Sequence, residues 1–525
     1  MKNFNLLMSF LLVISCAYAQ DKTAQKYAST INQEDAFKIL SVLTSDAFEG
    51  RGTGQPGAEK AAQYIKAQFQ SYGLVAPVNH SYFQPLDLKE ITPKERKITV
   101  NGKAQTFLKD FYATPNFFQD IKKNYHDFVF IGYGIQSEKY DDLAGLNLEG
   151  KVAVILEGEP IVDGNSLVTG NATLSKWSTQ RNKKIAAITK LNPAAIVILD
   201  SNVYKMKVDA EPYSRTSLVL GEAEKTQSPL VIYASAKFIN TLLASSKSIV
   251  SQISNKISKT KNPASFEFKA KLELDFTVNT NQLDAKNVLG FLEGSDPILK
   301  NEVLVITAHY DHLGINAKGE IFNGADDDGS GTTGVLELAE AFTKAKQEGN
   351  GPKRSVLFMT VVGEEKGLLG SEWYSDHPVF PLENTIANLN IDMIGRVGEL
   401  YKGKADSANY IYVVGSDKLS TSLKAISESV NKTNDNLSLD YKYDDPKDPM
   451  RIYYRSDHYN FAKHNIPIIF YFNGIHEDYH KTTDDIEKIN FPLWVKRAQL
   501  VFYTAWELAN RAERPAVDKI DPTRN

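Results

Sequence analysis

Apolar and polar residues follow a regular succession in the C-terminal half of the chain. Short apolar runs that suit buried strands alternate there with segments whose apolar residues have helical spacing. The strand runs are 301–308, 355–362, 386–391, 410–414 and 466–472, and the helical segments are 331–346, 368–375, 418–431 and 491–512. This alternation predicts an α/β fold, a three-layer sandwich with a mixed, mainly parallel sheet.

Two N-terminal helices and an inserted domain complete the predicted organisation. Residues 33–43 and 57–73 have the apolar spacing of helices. Residues 115–270 instead contain short β-branched strands among Gly and Pro turns. These strands lie at 128–135, 151–156, 194–199 and 230–233, with a helix at 179–191. We therefore predict an inserted β-rich α/β domain over 115–270, and a main domain built from 20–114 and 271–525.

Residues 1–19 have the order of a secretory signal peptide. Lys2 precedes an apolar run over 4–14, and a small-residue cleavage site ends at Ala19. The run is too short to span a bilayer, and no other stretch reaches about 18 uncharged apolar residues. We expect an exported protein, periplasmic or extracellular, with no integral membrane segment in the mature chain. In the alternative, residues up to Cys16 form a lipobox and that single cysteine becomes a lipidated N-terminus.

The amino-acid composition limits the kinds of molecule that we expect the protein to bind. The chain of 525 residues carries 60 Lys and Arg against 64 Asp and Glu, a net charge of −4 with both signs mixed. This balance gives no electrostatic case for binding nucleic acid or an anionic membrane surface. The sequence leaves the oligomeric state open.

Side chains suited to metal binding follow several of the predicted strands. His309 ends the first strand run, Glu364 and Glu365 follow the second, and Asp392 follows the third. In an open α/β sheet, ligands collect outside the carboxyl ends of the strands. Together with His480, these groups would suit a pair of divalent ions, zinc first. This constellation indicates a hydrolase.

More than one histidine could occupy each of the two histidine ligand positions. A metal-bound imidazole needs its other ring nitrogen oriented by a carboxylate or carbonyl, and Asp311 lies two residues after His309. His312 is a competitor, but in an extended segment it faces the side opposite Asp311, so we assign it a supporting or structural position. We prefer His480, next to Thr-Thr-Asp-Asp, over His476 as the later ligand.

Three consecutive acids, Asp326, Asp327 and Asp328, precede the helical segment at 331–346. Such acids repel one another unless a cation lies among them, which favours metal binding over capping of the helix alone. A calcium loop running from Asp326 to Glu337 is an alternative, but a strand and a loop precede it where an EF-hand has a helix.

The adjacent residues Glu364 and Glu365 could take two different catalytic roles in one cleft. Neighbouring side chains on a strand point to opposite faces, so both can reach one cleft only where the strand turns into the next helix. One carboxylate can then bind a metal while the other acts as a general base. Asp392 follows an apolar strand, where burial of an unpaired carboxylate is costly.

Taken together, these segments resemble the di-zinc aminopeptidases of metallopeptidase family twenty-eight, which share a phosphorylase/hydrolase-like α/β fold. The resemblance covers 47–54, the Asn-Val-Leu-Gly of 287–290, and all five metal-binding segments in order. It implies two Zn²⁺ ions, one held by His309 and Asp392, the other by Glu365 and His480, with Asp327 bridging both.

The resemblance also implies the remaining roles. Glu364 is similar to the general base, and Asp311 to the carboxylate behind the first histidine. Tyr479 resembles a tyrosine that donates a hydrogen bond to the developing oxyanion in some members. Asp328 resembles the neighbour of the bridging acid across an unusual peptide bond, and Asp326 stands where Asn is common.

The inserted region is similar to a protease-associated domain. The similarity rests on Gly-Tyr-Gly-Ile at 132–135 and on the strand pattern of 148–155. Domains of that kind usually carry no catalytic groups and limit or guide the entry of substrate.

The expected function is removal of N-terminal residues from peptides by an exported zinc aminopeptidase. A metal-bridging water would attack the peptide carbonyl, with Glu364 as general base. A related carboxypeptidase or dipeptidase, a single-zinc cyclase-like transferase, and a non-catalytic binding module of the same fold are the alternatives. Every ligand type is in place, which argues against lost catalysis.

Overall fold

The computed structural model describes residues 21–113, 119–203, 216–221 and 229–521. Contacts divide the chain into two compact units, one of Met1–Asp87 with Asp284–Asn525 and the other of Leu88–Leu283. We call them the main unit and the inserted unit. The predicted signal peptide, Cys16 and the predicted boundary after residue 114 lie outside the described residues.

The main unit begins with α1 (Lys22–Ala28), α2 (Gln33–Leu43), α3 (Pro56–Tyr72) and β1 (Phe83–Pro85). Helix α2 has the predicted bounds, because the side chain of Asn32 accepts hydrogen bonds from the first free amides and starts the helix there. Helix α3 begins with Pro56 and ends before Gly73, which has φ 85° and closes the helix in the left-handed conformation.

The inserted unit contains one large sheet. The strands of this unit are β2 (Leu88–Val100), β3 (Lys103–Gln105), β4 (Phe111–Ala113), β5 (Ile121–Phe130), β6 (Val152–Ile155), β7 (Ile161–Val162), β8 (Asn165–Ser166), β9 (Ala195–Leu199), β10 (Ser217–Leu220), β11 (Leu230–Ala234) and β12 (Phe266–Leu283), of which β7 and β8 pair only with each other. Its helices are α4 (Lys176–Thr179), α5 (Arg181–Thr189), α6 (Ala236–Leu242) and α7 (Val250–Thr260). The sheet order is β10-β2-β12-β5-β6-β9-β11-β4, with β3 beside β2.

This unit extends beyond the predicted range of 115–270 at both ends. The reason is the antiparallel pairing of β2 with β12, which runs from Leu88 opposite Leu283 to Val100 opposite Leu272. Both strands alternate buried with partly or fully exposed residues, so neither has the continuous apolar run that marked the other strands. Its likeness to a protease-associated domain stays a prediction.

The rest of the main unit alternates strands with helices as predicted. The strands are β13 (Lys286–Leu292), β14 (Val303–His309), β15 (Gly314–Ile315), β16 (Ile321–Phe322), β17 (Ser355–Val361), β18 (Thr385–Ile391), β19 (Tyr410–Val414), β20 (Ser438–Asp440) and β21 (Ile468–Phe472). The helices are α8 (Gly331–Gln347), α9 (Leu369–Asp376), α10 (Thr421–Thr433), α11 (His458–Lys463) and α12 (Phe491–Asn510). The sheet order is β1-β13-β17-β14-β18-β21-β19-β20.

Four central strands of this sheet, β17, β14, β18 and β21, are mutually parallel, whereas β13 and β19 run antiparallel to their central neighbours. Every residue of β14, β17 and β18 is buried, as expected for parallel strands with both faces covered. Helix α8 contacts β14, β17 and β18, and α11 contacts β18 and β21. The sheet is mixed and mainly parallel, as the sequence predicts.

The four parallel strands bring the candidate residues to one sheet edge. His309 is the last residue of β14, and Asp392 directly follows β18. Glu364 lies three residues after β17, in a single 3-10 turn over Glu364–Lys366. Among the described residues, no helix has the length and apolarity needed to cross a membrane.

Candidate metal centre

His309 lies at the centre of the first group of side chains. Its Nε2 is 3.3 Å from Oδ1 of Asp327 and 3.7 Å from Oδ1 of Asp392. Its Nδ1 lies 3.0 Å from the backbone oxygen of Asp311, while the nearest carboxylate oxygen of that residue is 3.8 Å away. The ring is therefore oriented by the carbonyl of Asp311 more closely than by its carboxylate.

The carboxylate of Asp311 fixes the turn after β17 instead. Oδ1 accepts a hydrogen bond from the amide of Glu364 at 3.2 Å, and Oδ2 accepts one from the hydroxyl of Thr53 at 2.6 Å. Asp311 is fully buried. It thus connects the N-terminal glycine-rich segment to the turn that carries the candidate general base.

The three consecutive aspartates have three different surroundings. Asp328, joined to Asp327 by a cis peptide bond, accepts hydrogen bonds at Oδ1 from the amides of Gly331 and Met393, at 2.8 and 3.0 Å. Its Oδ2 accepts one from the amide of His309 at 3.3 Å. This carboxylate therefore holds together the ends of β14 and β18 and the start of α8.

Asp326 points away from the centre. Its Oδ1 accepts hydrogen bonds from the amide of Gly395 at 2.7 Å and the hydroxyl of Ser330 at 3.0 Å. Its Oδ2 lies 3.1 Å from Nε2 of His476. Of the three aspartates, Asp327 alone lies within 4 Å of other ligand-type side chains on both sides of the centre, as the predicted bridging position requires.

Glu364 and Glu365 both enter the cleft because the chain bends sharply around them. Gly363 and Gly367, on either side, have φ of 79° and 110°, conformations in which glycine carries no strain. Oε2 of Glu365 lies 3.1 Å from Nε2 of His480, and Oε2 of Glu364 lies 3.9 Å from Nε2 of His309. The predicted strand-to-helix turn is present.

Asp392 and His480 complete the predicted set. The hydroxyl of Ser456 donates to Oδ2 of Asp392 at 2.6 Å, which leaves Oδ1 on the side of His309. Nε2 of His480 lies 3.1 Å from Oδ2 of Asp327 as well as 3.1 Å from Glu365. The structure therefore brings all five predicted ligands together.

Several buried atoms at this centre that could bind a metal ion have no hydrogen-bond partner among the described residues. They are His309 Nε2, His312 Nδ1, Asp327 Oδ2, Glu365 Oε1 and His480 Nε2. Leaving such atoms unpaired costs about 1–3 kcal/mol each. Two groups of side chains, His309–Glu364–Asp392 and His312–Asp327–Glu365, each bring one ligand atom per residue within 4.8 Å of one another. Imidazole nitrogens and carboxylate oxygens converging in this way fit zinc.

The charges around the centre separate the pKa values of its carboxyl groups. Burial, reinforced by Glu365 and Asp392 against the opposing effect of His309, holds the pKa of Glu364 well above its usual range. Burial acts in the same direction on Asp327, but its contacts with His309 and His480 outweigh it and hold the pKa of that group well below its usual range. Neighbouring acids with separated pKa values are suited to different roles.

A pocket with an apolar wall adjoins the centre. Its lining comprises Asp327, Glu364, Asp392, Met393, Ile452, Arg455, Phe470, Phe472, Ile475 and Tyr479. Tyr479 lies against His480, with ring centroids 3.8 Å apart, and its hydroxyl accepts a hydrogen bond from Arg455 at 3.1 Å. The pocket thus places an apolar wall next to the metal-binding groups.

Sequence reasoning missed Arg455. Arg455 directly precedes Ser456, but one arginine among many exposed ones gives no local signal. His312, for which the sequence predicts a supporting or structural position, lies with its Nδ1 2.9 Å from Oε1 of the predicted ligand Glu365.

Fold and site together place a cluster of metal-ligand side chains at one edge of a mainly parallel α/β sheet. The family model described as Peptidase family M28 matches residues 287–505. The resemblance predicted from the sequence is confirmed for this part of the chain, which matches family M28.

Individual relatives agree with this assignment. Aminopeptidase YwaD of Bacillus subtilis (strain 168) is 32% identical over 139 residues, which cover 25% of this chain and 28% of the relative. Leucine aminopeptidase 1 of Penicillium rubens is 31% identical over 192 residues, which cover 35% of this chain and 47% of the relative. The matched segments thus span less than half the length of these relatives.

A solved structure supports the fold over most of the chain. An aminopeptidase from Aneurinibacillus sp. strain AM-1 matches with a TM-score of 0.50 at 19% identity, covering 95% of this chain and 98% of that one. At this identity the likeness shows the fold alone. The predicted α/β fold class is confirmed.

Proposed function

We propose that the protein is an exported zinc aminopeptidase that removes N-terminal residues from peptides. The observation that carries the proposal is the pair of ligand groups His309–Glu364–Asp392 and His312–Asp327–Glu365, in which several buried ligand-type atoms have no hydrogen-bond partner among the described residues. His309 and Asp392 would hold one ion, Glu365 and His480 the other, and Asp327 both. When bound, the two ions supply Lewis acidity and lower the pKa of a water between them.

Glu364 is the proposed general base. Its carboxylate lies on the cleft side of the turn, 3.9 Å from Nε2 of His309, and Asp311 fixes its backbone through the amide. The raised pKa of Glu364 suits a group that takes a proton from the attacking water and returns it to the leaving amine. Together with Asp392, this acid also offers negative charge for a free α-amino group.

Tyr479 is the proposed donor to the developing oxyanion. Burial raises the pKa of its hydroxyl, which therefore keeps its proton. Because Arg455 donates to the hydroxyl oxygen, the single proton of Tyr479 is free for another acceptor. A donor fixed beside the reacting carbonyl stabilises negative charge only as it forms.

One observation favours a second candidate, a dipeptidase or carboxypeptidase. Arg455 is an exposed guanidinium in the lining of the pocket, and such a group suits the carboxylate of a short substrate. The apolar wall and the acids near Asp392 suit an N-terminal residue as well, so the substrate decides between the two activities.

The test combines metal analysis with a substrate panel. We expect about two zinc ions per chain, cleavage of Leu-p-nitroanilide, and no cleavage of the same compound after N-acetylation. Hydrolysis of N-acetylated dipeptides but not of the anilide would instead support the second candidate, a dipeptidase or carboxypeptidase. One zinc per chain without peptidase activity would contradict both.

Export and the insert are further parts of the proposal. We propose that residues 1–19 direct export and that the insert limits or guides the entry of substrate. N-terminal sequencing of protein secreted by its host would test the first, with Gln20 as the expected first residue after cleavage. Comparison of peptides of increasing length would test the second.

A further inference from the structure

We propose that His312 is a direct ligand of the second metal position, beside Asp327, Glu365 and His480. The inference rests on the proposed zinc centre. It adds a fourth protein side chain to a position for which the sequence resemblance implies three.

The imidazole of His312 faces this position from inside the protein. The side chain is fully buried, and its Nδ1 lies 2.9 Å from Oε1 of Glu365 and 3.8 Å from Oδ2 of Asp327. The ring centroids of His312 and His480 are 5.8 Å apart. The two imidazoles thus approach the same pair of carboxylates.

Hydrogen bonding does not account for this placement. Although Nδ1 of His312 and Oε1 of Glu365 are close, neither atom has a hydrogen bond of acceptable geometry to any described residue. Nε2 of the same ring is buried and also lacks a partner within the described chain. A buried imidazole without partners is costly, and a cation between Nδ1 and the two carboxylates would remove that cost on the metal side.

The surrounding backbone leaves space for the imidazole of His312 and holds the residue in position. The amide of His312 donates to the backbone oxygen of Arg51 at 3.2 Å, and the Arg51 guanidinium donates to the backbone oxygens of Tyr310 and Gly324, both at 2.8 Å. A Cβ atom at Gly324 would lie 2.5 Å from ring carbons of His312. The glycine leaves room for the imidazole, and the N-terminal glycine-rich segment holds its backbone.

The added ligand makes the two positions unequal. The first would have three protein ligands, His309, Asp392 and the shared Asp327, and so keeps room for substrate, as catalytic zinc sites do. The second would have four, the number found in closed structural sites. We therefore infer that the second position binds its ion more tightly, and that the substrate carbonyl is taken up at the first.

The test compares His312→Ala and His312→Asn with His464→Asn, which changes an exposed histidine after α11. Zinc affinity is measured by competition with a chelator on the full chain. We expect one of the two ions to bind more than about 100-fold more weakly in both His312 variants, beyond the loss typical for an outer partner of a ligand. The other ion should be retained, and His464→Asn should match the wild type.

X-ray absorption on the wild-type protein loaded with two zinc ions gives a second readout that does not depend on folding of a variant. We expect three imidazoles shared by the two ions, and two in His312→Ala. Two imidazoles in the wild type, or an affinity loss of 100-fold or less, would overturn the inference. Wild-type protein that takes up no zinc would refute the proposed function itself, which is a different result.

Discussion

Nη2 of Arg455 donates a hydrogen bond to the hydroxyl oxygen of Tyr479 at 3.1 Å. The two residues come from segments that each carry part of the metal centre. Arg455 precedes Ser456, whose hydroxyl binds Asp392, and Tyr479 precedes His480. The bond therefore links the two sides of the centre at the pocket wall, and it directs the tyrosine proton away from the guanidinium.

If Arg455 acts through Tyr479, substitution of either residue should abolish the same hydrogen bond between them. We expect Tyr479→Phe to lower kcat by about 100-fold, as loss of an oxyanion donor does. Arg455→Gln should lower kcat by about tenfold, an effect on the scale of 1.4 kcal/mol, and should have no further effect in the Tyr479→Phe background. Steady-state kinetics on Leu-p-nitroanilide measures this cycle.

The control for that cycle is Arg451→Gln, because Arg451 is exposed and lies over Tyr454 rather than Tyr479. Independent, additive losses in the Arg455–Tyr479 double variant would contradict action through the tyrosine. A loss confined to KM for substrates with a free carboxylate would instead assign Arg455 to substrate binding.

Glu364→Gln separates chemistry from metal binding. The variant keeps the shape of the side chain but cannot accept a proton, so we expect kcat to fall by about 10²–10⁴-fold. Zinc content by plasma emission should stay at the wild-type value, because the five proposed ligands are untouched. Glu383→Gln, at an exposed position before β18, is the matched control. Parallel loss of zinc and activity would show that Glu364 is a ligand instead.

Asp484 holds the backbone of Asp326 and of the proposed ligand Asp327 in place. Its Oδ2 accepts hydrogen bonds from the amides of Asp326 and Asp327, at 3.0 and 3.1 Å, and it lies four residues after His480. We expect Asp484→Ala to weaken zinc binding by about 10–100-fold, as loss of a group behind a ligand does. Chelator competition measures this.

Asp485→Ala provides the comparison for Asp484, since the neighbouring carboxylate binds the side chain of Asn323 rather than the aspartate backbone. It should leave zinc affinity within twofold of the wild type. Equal effects of the two substitutions would mean that general loosening of the 476–485 segment, and not the bonds to the amides, weakens the metal site.

The main sheet could be predicted because its strands are buried on both faces. β14, β17 and β18 have continuous apolar runs, and their bounds came out within two residues of the predicted ranges. β2 and β12 lack such runs, and their pairing joins residues far apart in the chain. The local pattern of apolar and polar residues therefore could not predict where the inserted unit begins and ends.

The site residues also divide into those that the local sequence pattern locates and those that it does not. Candidate ligands at the ends of parallel strands, such as His309 and Asp392, could be placed from the sequence because the strands fix their location. The orientations of Asp326 and Asp328 depend on bonds to distant groups, including His476 and the amide of Met393, which spacing does not reveal.

Glu337 makes the stability of the protein depend on pH. The side chain is 3% exposed on α8, and burial, together with Glu340 and Asp35, raises its pKa to about 8 from an ordinary 4.5. A carboxyl group whose pKa is higher in the folded state favours folding when protonated. Stability is therefore fully present below about pH 4.5, falls as pH rises, and reaches its lower limit above about pH 8. Each pKa unit corresponds to about 1.4 kcal/mol, so the loss is at most about 5 kcal/mol.

Glu337→Gln removes the ionisable group and with it this dependence. We expect the variant to be more stable than the wild type at pH 9, by several degrees in Tm, and equal or slightly less stable at pH 4. Thermal unfolding of metal-free protein at both pH values measures the difference without the pH dependence of zinc binding. Glu34→Gln, at an exposed position of α2, should change neither value by more than about 0.5 kcal/mol. A stabilisation that is the same at both pH values would show that Glu337 is not the titrating group.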